Sequence, residues 1–205
     1  LENDEGVEKI DEILEVVDAV MVARGDMGVE IDFTEIPKIQ KDLIRKCYNS
    51  GKPAITATQM LESMTQNPRP TRAEVTDIAN SIYDGTSAIM LSGETAAGKY
   101  PVEAVKTMAA IAEKTESTID YNEELRNRNY DHNLSITESI SHAACSVAMD
   151  IDAKAIVTVT KTGGTARNVS KYRPSLPIIG CTDTEKSYRQ LALSWGVYPL
   201  LMSSV

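Results

Sequence analysis

Val22-Ala23-Arg24-Gly25-Asp26-Met27-Gly28-Val29-Glu30 follows the apolar run Ala19-Val20-Met21-Val22 and precedes a helical pattern. A strand end, a cation, two glycines and the Asp26 carboxylate between them lie side by side. Glycine lets backbone approach a ligand closely. Asp26 is expected to project from a tight bend at the carboxyl end of a strand, the edge where parallel α/β proteins bind ligands. Taken alone, the stretch equally suits a plain strand–turn–helix with a solvated Asp.

Two further strand ends carry polar chemistry. Pro53-Ala54-Ile55-Thr56-Ala57 runs into Thr58-Gln59-Met60-Leu61-Glu62-Ser63-Met64, and Ser87-Ala88-Ile89-Met90-Leu91 runs into Ser92-Gly93-Glu94-Thr95-Ala96. The three runs recur about every 35 residues with one helical pattern between each pair, the spacing of (β/α) barrel units.

Those motifs, with Gly51-Lys52-Pro53 and Pro68-Arg69-Pro70-Thr71-Arg72-Ala73-Glu74, stand in one order along the chain. Together they resemble the pyruvate kinase family, and the likeness runs over the whole chain. It implies an α/β protein: part of a (β/α)8 TIM barrel, followed by a three-layer α/β/α domain with a mainly parallel sheet. In the family, the stretch matching Leu1-Glu2-Asn3 ends a barrel strand reading Lys-hydrophobic-Glu-Asn. The resemblance therefore implies a fragment that starts inside the barrel, with that lysine upstream, and a C-terminal domain that continues past Val205.

Composition sets outer bounds. The 205 residues suffice for one large or two small domains. A hydrophobic content of 42% and a charged content of 25% are ordinary for a globular chain. No apolar run is long enough to span a bilayer, so no membrane partner is expected. The net charge of -9 argues against nucleic-acid binding, which needs a basic face. Cys47, Cys145 and Cys181 are too scattered for a disulfide framework or a CxxC zinc site, which points to reduced thiols and a cytoplasmic setting. His132 and His142 have no paired-ligand spacing.

Along the chain, Val7, Ile10, Ile13, Leu14 and Val17 predict one amphipathic helix. Thr34 is expected to cap the next helix and Gly51 to stop it. Thr71 with Glu74 forms a capping box before a helix that buries Val75, Ile78, Ala79 and Ile82. Val102, Val105, Met108, Ala109 and Ala112 give the apolar side of a long helix. Residues 1–118 read as the barrel part, 119–135 as a polar linker or a short solvated helix, and 136–205 as the incomplete second domain. There Ser135 and Glu138 make a second capping box, residues 155–160 a buried strand, 165–172 a short helix and 177–181 a strand. Thr184 is expected to cap a helix reaching Trp195, and the last strand covers 197–202.

The resemblance assigns the chemistry. Glu2 and Asp26 match the carboxylates that hold a divalent ion, Mg²⁺ or Mn²⁺, as oxygen-only donors suit. Gly25 and Asp26 would offer backbone N–H groups to the carboxylate of phosphoenolpyruvate or pyruvate, and Thr58 matches the active-site threonine beside the reacting methylene carbon. Ser92 and Glu94 support the proton path; read alone they form a hydrogen-bonded turn. Arg24 either braces the loop or reaches a neighbouring subunit, and Arg72 matches an interface residue of a homo-tetramer. Thr160-Lys161-Thr162-Gly163-Gly164-Thr165 joins a strand to a helix N-terminus as a phosphate cradle, resembling the loop that takes a phosphorylated allosteric effector, with Arg167, Lys171 and Arg173 adding charge. The reaction implied is phosphoryl transfer from phosphoenolpyruvate to ADP, giving pyruvate and ATP with K⁺ held by ligands outside this chain; the chain alone is expected to be inactive. Two rival readings stay open: another metal-dependent barrel that handles enolpyruvate, and a non-catalytic effector-binding or assembly module.

Overall fold

The first apolar runs pair side by side. Residues 20–23 and 54–57 align in parallel with Val20 opposite Ala54 and Ala23 opposite Ala57, and Thr56 lies opposite Ile89. The computed structural model describes residues 1–127 and 135–204. It divides into two units, Leu1–Ile119 and Asp120–Val205.

In the first unit, α1 (Asp4–Glu8) and α2 (Ile10–Val16) precede β1 (Val20–Ala23), which leads into α3 (Arg24–Glu30) and α4 (Ile36–Asn49). β2 (Ala54–Ala57) is followed by a 3-10 turn at Glu62–Thr65 and α5 (Arg72–Tyr83). β3 (Ala88–Ile89) precedes α6 (Gly93–Ala96) and α7 (Pro101–Glu116). The sheet order β1-β2-β3 with parallel pairing is that of successive (β/α) barrel units. One core packs β1 against α2 and α4 through Val22, Leu14, Ile44 and Cys47, and a second packs α5 and α7 through Ile78, Ala104 and Met108.

The second unit opens with α8 (Tyr121–Asn127) and α9 (Ile136–Asp150). Then β4 (Ile156–Val159), α10 (Gly164–Lys171), β5 (Ile178–Thr182), α11 (Glu185–Leu191) and β6 (Val197–Leu201) alternate. The strands pair in parallel in the order β4-β5-β6. Gly180 lies where α10 and α11 meet this sheet: a Cβ there would sit 3.1 Å from Leu191 and 3.6 Å from Ala166. The opposite face is open among the described residues, with Val157 65% and Tyr198 64% exposed.

Both capping boxes form as read from sequence, at Thr71–Glu74 and Ser135–Glu138. Elsewhere the structure corrects the reading. The helix expected over 7–17 breaks at Lys9, because Asn3 caps a separate first turn and burial of Ile10 and Leu14 sets the second. Thr34 caps nothing; it donates its N–H and hydroxyl to Asp32, and α4 starts later with Pro37 in its first turn. On α7 the buried stripe runs through Ala104, Met108 and Thr115, leaving Val102 and Val105 exposed. Val75 also faces outward.

The strand at 156–159 buries only one face, and α11 stops at Leu191 rather than at Trp195. Residues 121–127, inside the stretch read as a polar linker or a short solvated helix, are helical, but the helix is not fully solvated, since Leu125 is buried in the second unit's core. Residues 128–134, with His132, lie outside the described residues. All three cysteines are buried free thiols, and burial pushes Cys47 up to about 11.

Glu138 ties the second unit together. Its carboxylate accepts from Lys171 Nζ at 2.7 Å and from the Ser135 N–H and hydroxyl at 2.9 and 2.8 Å. The Lys171 hydrogen bond, helped by those of Ser135, lowers its carboxyl from 4.5 to about 2. A depressed folded value stabilises above the unfolded value and is lost as pH falls through the folded one. Glu138→Gln should therefore cost about 2 kcal/mol at neutral pH. The gap from the parent should close between pH 4.5 and about 2, in urea unfolding followed by Trp195 fluorescence.

Candidate active site

Parallel pairing in register brings three strand ends to one edge of the first sheet. β1 ends at Ala23, β2 at Ala57 and β3 at Ile89. Leu1 extends the edge, since its amino group donates to the Met21 carbonyl and its carbonyl accepts from Ala23 N–H. Glu2 thus emerges beside the 24–26 corner.

That corner is helical. α3 begins at Arg24, immediately after the strand, and no side chain caps it. The Asp26 N–H therefore lies in a first turn, where a helix has no acceptor of its own for its N–H groups. The Gly25 N–H is taken: it donates to Thr58 Oγ1 at 2.8 Å. This bond joins the ends of β1 and β2. A Cβ on Gly25 would lie 3.4 Å from that oxygen, at ordinary contact distance.

Thr58 and Gln59 both adopt left-handed backbone, φ 66° and 53°. Each such residue costs about 1–2 kcal/mol, more when it is β-branched like Thr. Arg24 lies against this pair. Its Nη2 donates to the Thr58 carbonyl at 2.8 Å and its Nε to the Ala57 carbonyl at 3.3 Å. Nη1 is held by Asp77 at 2.6 Å and Gln40 at 3.4 Å. The Arg24 side chain is only 10% exposed, and these contacts lie within its own unit. It borders a cavity of about 410 Å³ lined also by Gln59, Asp77, Val29 and Phe33.

At the third strand end Glu94 is 1% exposed. Its oxygens accept from Leu61 N–H at 2.9 Å and Ser92 N–H at 2.8 Å. It stitches the loop after β2 to the turn after β3. Glu74 does the same one layer out, accepting from Ser63 and Thr71. Burial raises Glu74, but those hydrogen bonds outweigh it and hold the carboxyl below its ordinary value.

Glu2 and Asp26 are exposed, and no hydrogen bond or ion pair commits either carboxylate among the described residues. Two uncommitted oxygen donors at one sheet edge fit a hard divalent cation that keeps open positions for other oxygens. No group of three or more His, Cys, Asp or Glu side chains able to hold a metal occurs among the described residues.

In the second unit, β4 runs into Thr160–Gly163, and Gly163 adopts φ 82° as the N-cap of α10. The Lys161 carbonyl accepts hydroxyls from Ser187 at 2.6 Å, Thr184 at 2.9 Å and Thr182 at 3.5 Å. This anchor is why Thr184 does not cap α11. Lys161, Thr162 and Thr165 remain exposed, and Gly164 opens the helix. Arg167 reaches back to the Thr162 carbonyl at 2.9 Å. Lys171 and Arg173 do not join it: Lys171 pairs with Glu138, and Arg173 stacks over Trp195 at 4.9 Å. Lys171 ends α10 and Arg173 follows it, so both lie at the far end of a helix about 12 Å long.

Residues missed by sequence reasoning are Asp77, Gln40, Thr182 and Ser187. They act through contacts between segments distant in sequence, and no local motif marks them.

The first unit thus belongs to the class of parallel β/α barrel proteins, and the second is a parallel α/β unit. Residues 1–105 match the family described as pyruvate kinase, barrel domain, and residues 138–205 match pyruvate kinase, alpha/beta domain. A pyruvate kinase of Clostridium acetobutylicum is 57% identical over 201 residues, covering 98% of this chain and 42% of that protein. One of Geobacillus stearothermophilus is 57% identical over 198 residues, covering 97% and 34%. The crystal structure of a pyruvate kinase from Cryptosporidium parvum superposes with a TM-score of 0.95 at 45% identity, covering all of this chain and 42% of that one. The chain belongs to the pyruvate kinase family, and it spans between a third and a half of the length of these relatives.

Glu94→Gln would turn one buried acceptor into a donor facing an N–H. It should destabilise the first unit by about 2 kcal/mol, read by urea unfolding; an unchanged midpoint would mean that Leu61 and Ser92 find other acceptors.

Proposed function

We propose that this chain supplies the carboxyl-side strands and the effector unit of a pyruvate kinase that transfers a phosphoryl group from phosphoenolpyruvate to ADP. The observation that carries the reading is the Thr58–Gly25 hydrogen bond, which places the hydroxyl of one strand end against the corner bearing Asp26. In the reaction the phosphorus–oxygen bond of phosphoenolpyruvate breaks and a new one forms to the terminal phosphate of ADP. The enolate carbon then takes a proton and pyruvate results.

Glu2 and Asp26 would hold Mg²⁺ or Mn²⁺, which when bound neutralises charge on substrate oxygens. The Asp26 N–H meets the substrate carboxylate. Thr58 Oγ1 accepts from Gly25 and donates its proton to the Ala57 carbonyl at 2.6 Å. The same hydroxyl is assigned to the path that delivers a proton to the methylene carbon. Glu94, with both oxygens on backbone N–H groups, acts by holding Ser92 and the loop after β2 in place. K⁺ is assigned to ligands outside the chain. Exposed Arg72, at the start of α5, is assigned to a subunit contact of a cytoplasmic homo-tetramer. The 160–165 loop, with Arg167, is assigned to a phosphorylated effector.

Pyruvate formation from phosphoenolpyruvate and ADP, with Mg²⁺ and K⁺, tests the reading. The chain alone should be inactive, and mixing with the N-terminal part of the Clostridium acetobutylicum relative should restore turnover. In that mixture Asp26→Ala should lower kcat/KM by about 100-fold or more, while Thr165→Ala should spare turnover and abolish the response to sugar phosphates. Turnover by the chain alone would overturn the shared-site reading. An unchanged rate in Asp26→Ala would overturn the carboxylate assignment.

A further inference from the structure

We infer that Arg24 is a positioning residue whose guanidinium holds the Thr58–Gln59 backbone in its left-handed form and thereby fixes the Thr58 hydroxyl on the β1 corner. The inference deepens the reading above, because it gives Thr58 its place in that reaction.

Two successive non-glycine residues with positive φ, one of them β-branched, do not stay there unaided. An external hold is needed, and three features identify Arg24 as that hold. Its Nε and Nη2 bond two consecutive carbonyls, Ala57 and Thr58, which flank the dihedral that must stay positive. The guanidinium is itself fixed from the other side by Asp77 on α5 and Gln40 on α4. Arg24 also immediately precedes Gly25, whose N–H donates to Thr58 Oγ1. The arginine and the N–H it serves therefore move as one piece with the start of α3.

The planar guanidinium suits this task better than an ammonium. It offers five N–H donors in a fixed fork, enough for two carbonyls, a carboxylate and an amide oxygen at once. A lysine would keep the charge but lose the fork. Without the clamp, residues 57–59 relax toward the ordinary regions of φ/ψ space, and the hydroxyl swings off Gly25. Thr58 remains in the chain but is displaced from the corner that bears Asp26.

Two measurements test this. The first is amide hydrogen exchange in the chain itself. In Arg24→Lys and in Asp77→Asn, the Gly25 amide should exchange about tenfold faster or more, as expected for one lost hydrogen bond, with α4 amides such as Ile44 unchanged. Unchanged Gly25 exchange overturns the inference. Equal acceleration at Gly25 and Ile44 also overturns it, because Arg24 would then be a general brace of the fold.

The second is kinetics in the mixture with the N-terminal part of the relative. Arg24→Lys should lower kcat about 100-fold, with KM for phosphoenolpyruvate changed less than about threefold, and Asp77→Asn should act in the same direction more weakly. A parental kcat per folded site in Arg24→Lys overturns the positioning role. If the parent mixture itself makes no pyruvate, the functional reading fails, and the exchange result alone decides whether Arg24 is the clamp.

Discussion

Parallel pairing in register is the constraint on which the first unit depends. Because Ala23 lies opposite Ala57 and Thr56 opposite Ile89, the residues that leave each strand must share one edge. Backbone hydrogen bonds alone bring Arg24, Thr58 and Ser92 to the same end of the sheet. A slip of one residue would turn each of these side chains to the other face, and burial of Val20 and Val22 under α2 and α4 opposes that slip. The site is therefore as stable as the packing beneath it.

The edge itself is held by polar groups aimed at backbone. Arg24 serves two carbonyls, Glu94 two N–H groups, and Glu74 the N–H groups of Ser63 and Thr71. Each charged group replaces water for a loop that has left its ladder, and leaving one of these partners unmet in the interior would cost more than the bond contributes. The carboxylates left over, Glu2 and Asp26, are exposed and committed to no backbone group among the described residues. Division of labour among like residues is thus set by burial: the buried Glu94 is structural, and the exposed Asp26 is available.

What could be read from sequence was what local chemistry decides. Both capping boxes, the three strand ends and the glycine stop at Gly51 are written in spans of a few residues, and the positive φ of Gly51 agrees. The break at Lys9 and the buried stripe of α7 were not legible, because each helix offers two adjacent apolar rows and only the neighbouring element selects one. Thr58 was read as a hydroxyl at a strand end, yet its left-handed backbone has no signature in a β-branched residue; the clamp that permits it comes from Arg24, Gln40 and Asp77 on three other segments. The charge attributed to the 160–165 loop was overcounted for a related reason. Lys171 and Arg173 are near that loop in sequence, but a helix carries them away from it and into other contacts.

The two units solve one geometric problem with different chemistry. Each ends parallel strands at an edge and turns into a helix there. At the first, the chain strains Thr58 to close the distance to Gly25 and leaves carboxylates outward. At the second, Gly163 takes the left-handed turn at little cost, and hydroxyls from β5 and α11 gather on the Lys161 carbonyl. That anchoring fixes the backbone while Lys161, Thr162 and Thr165 stay exposed beside a helix start, an arrangement that favours anions. The same fold logic thus yields a strained edge that leaves two carboxylates exposed and a relaxed edge that leaves Lys161 exposed, and the difference rests on whether a glycine or a clamped threonine occupies the turn.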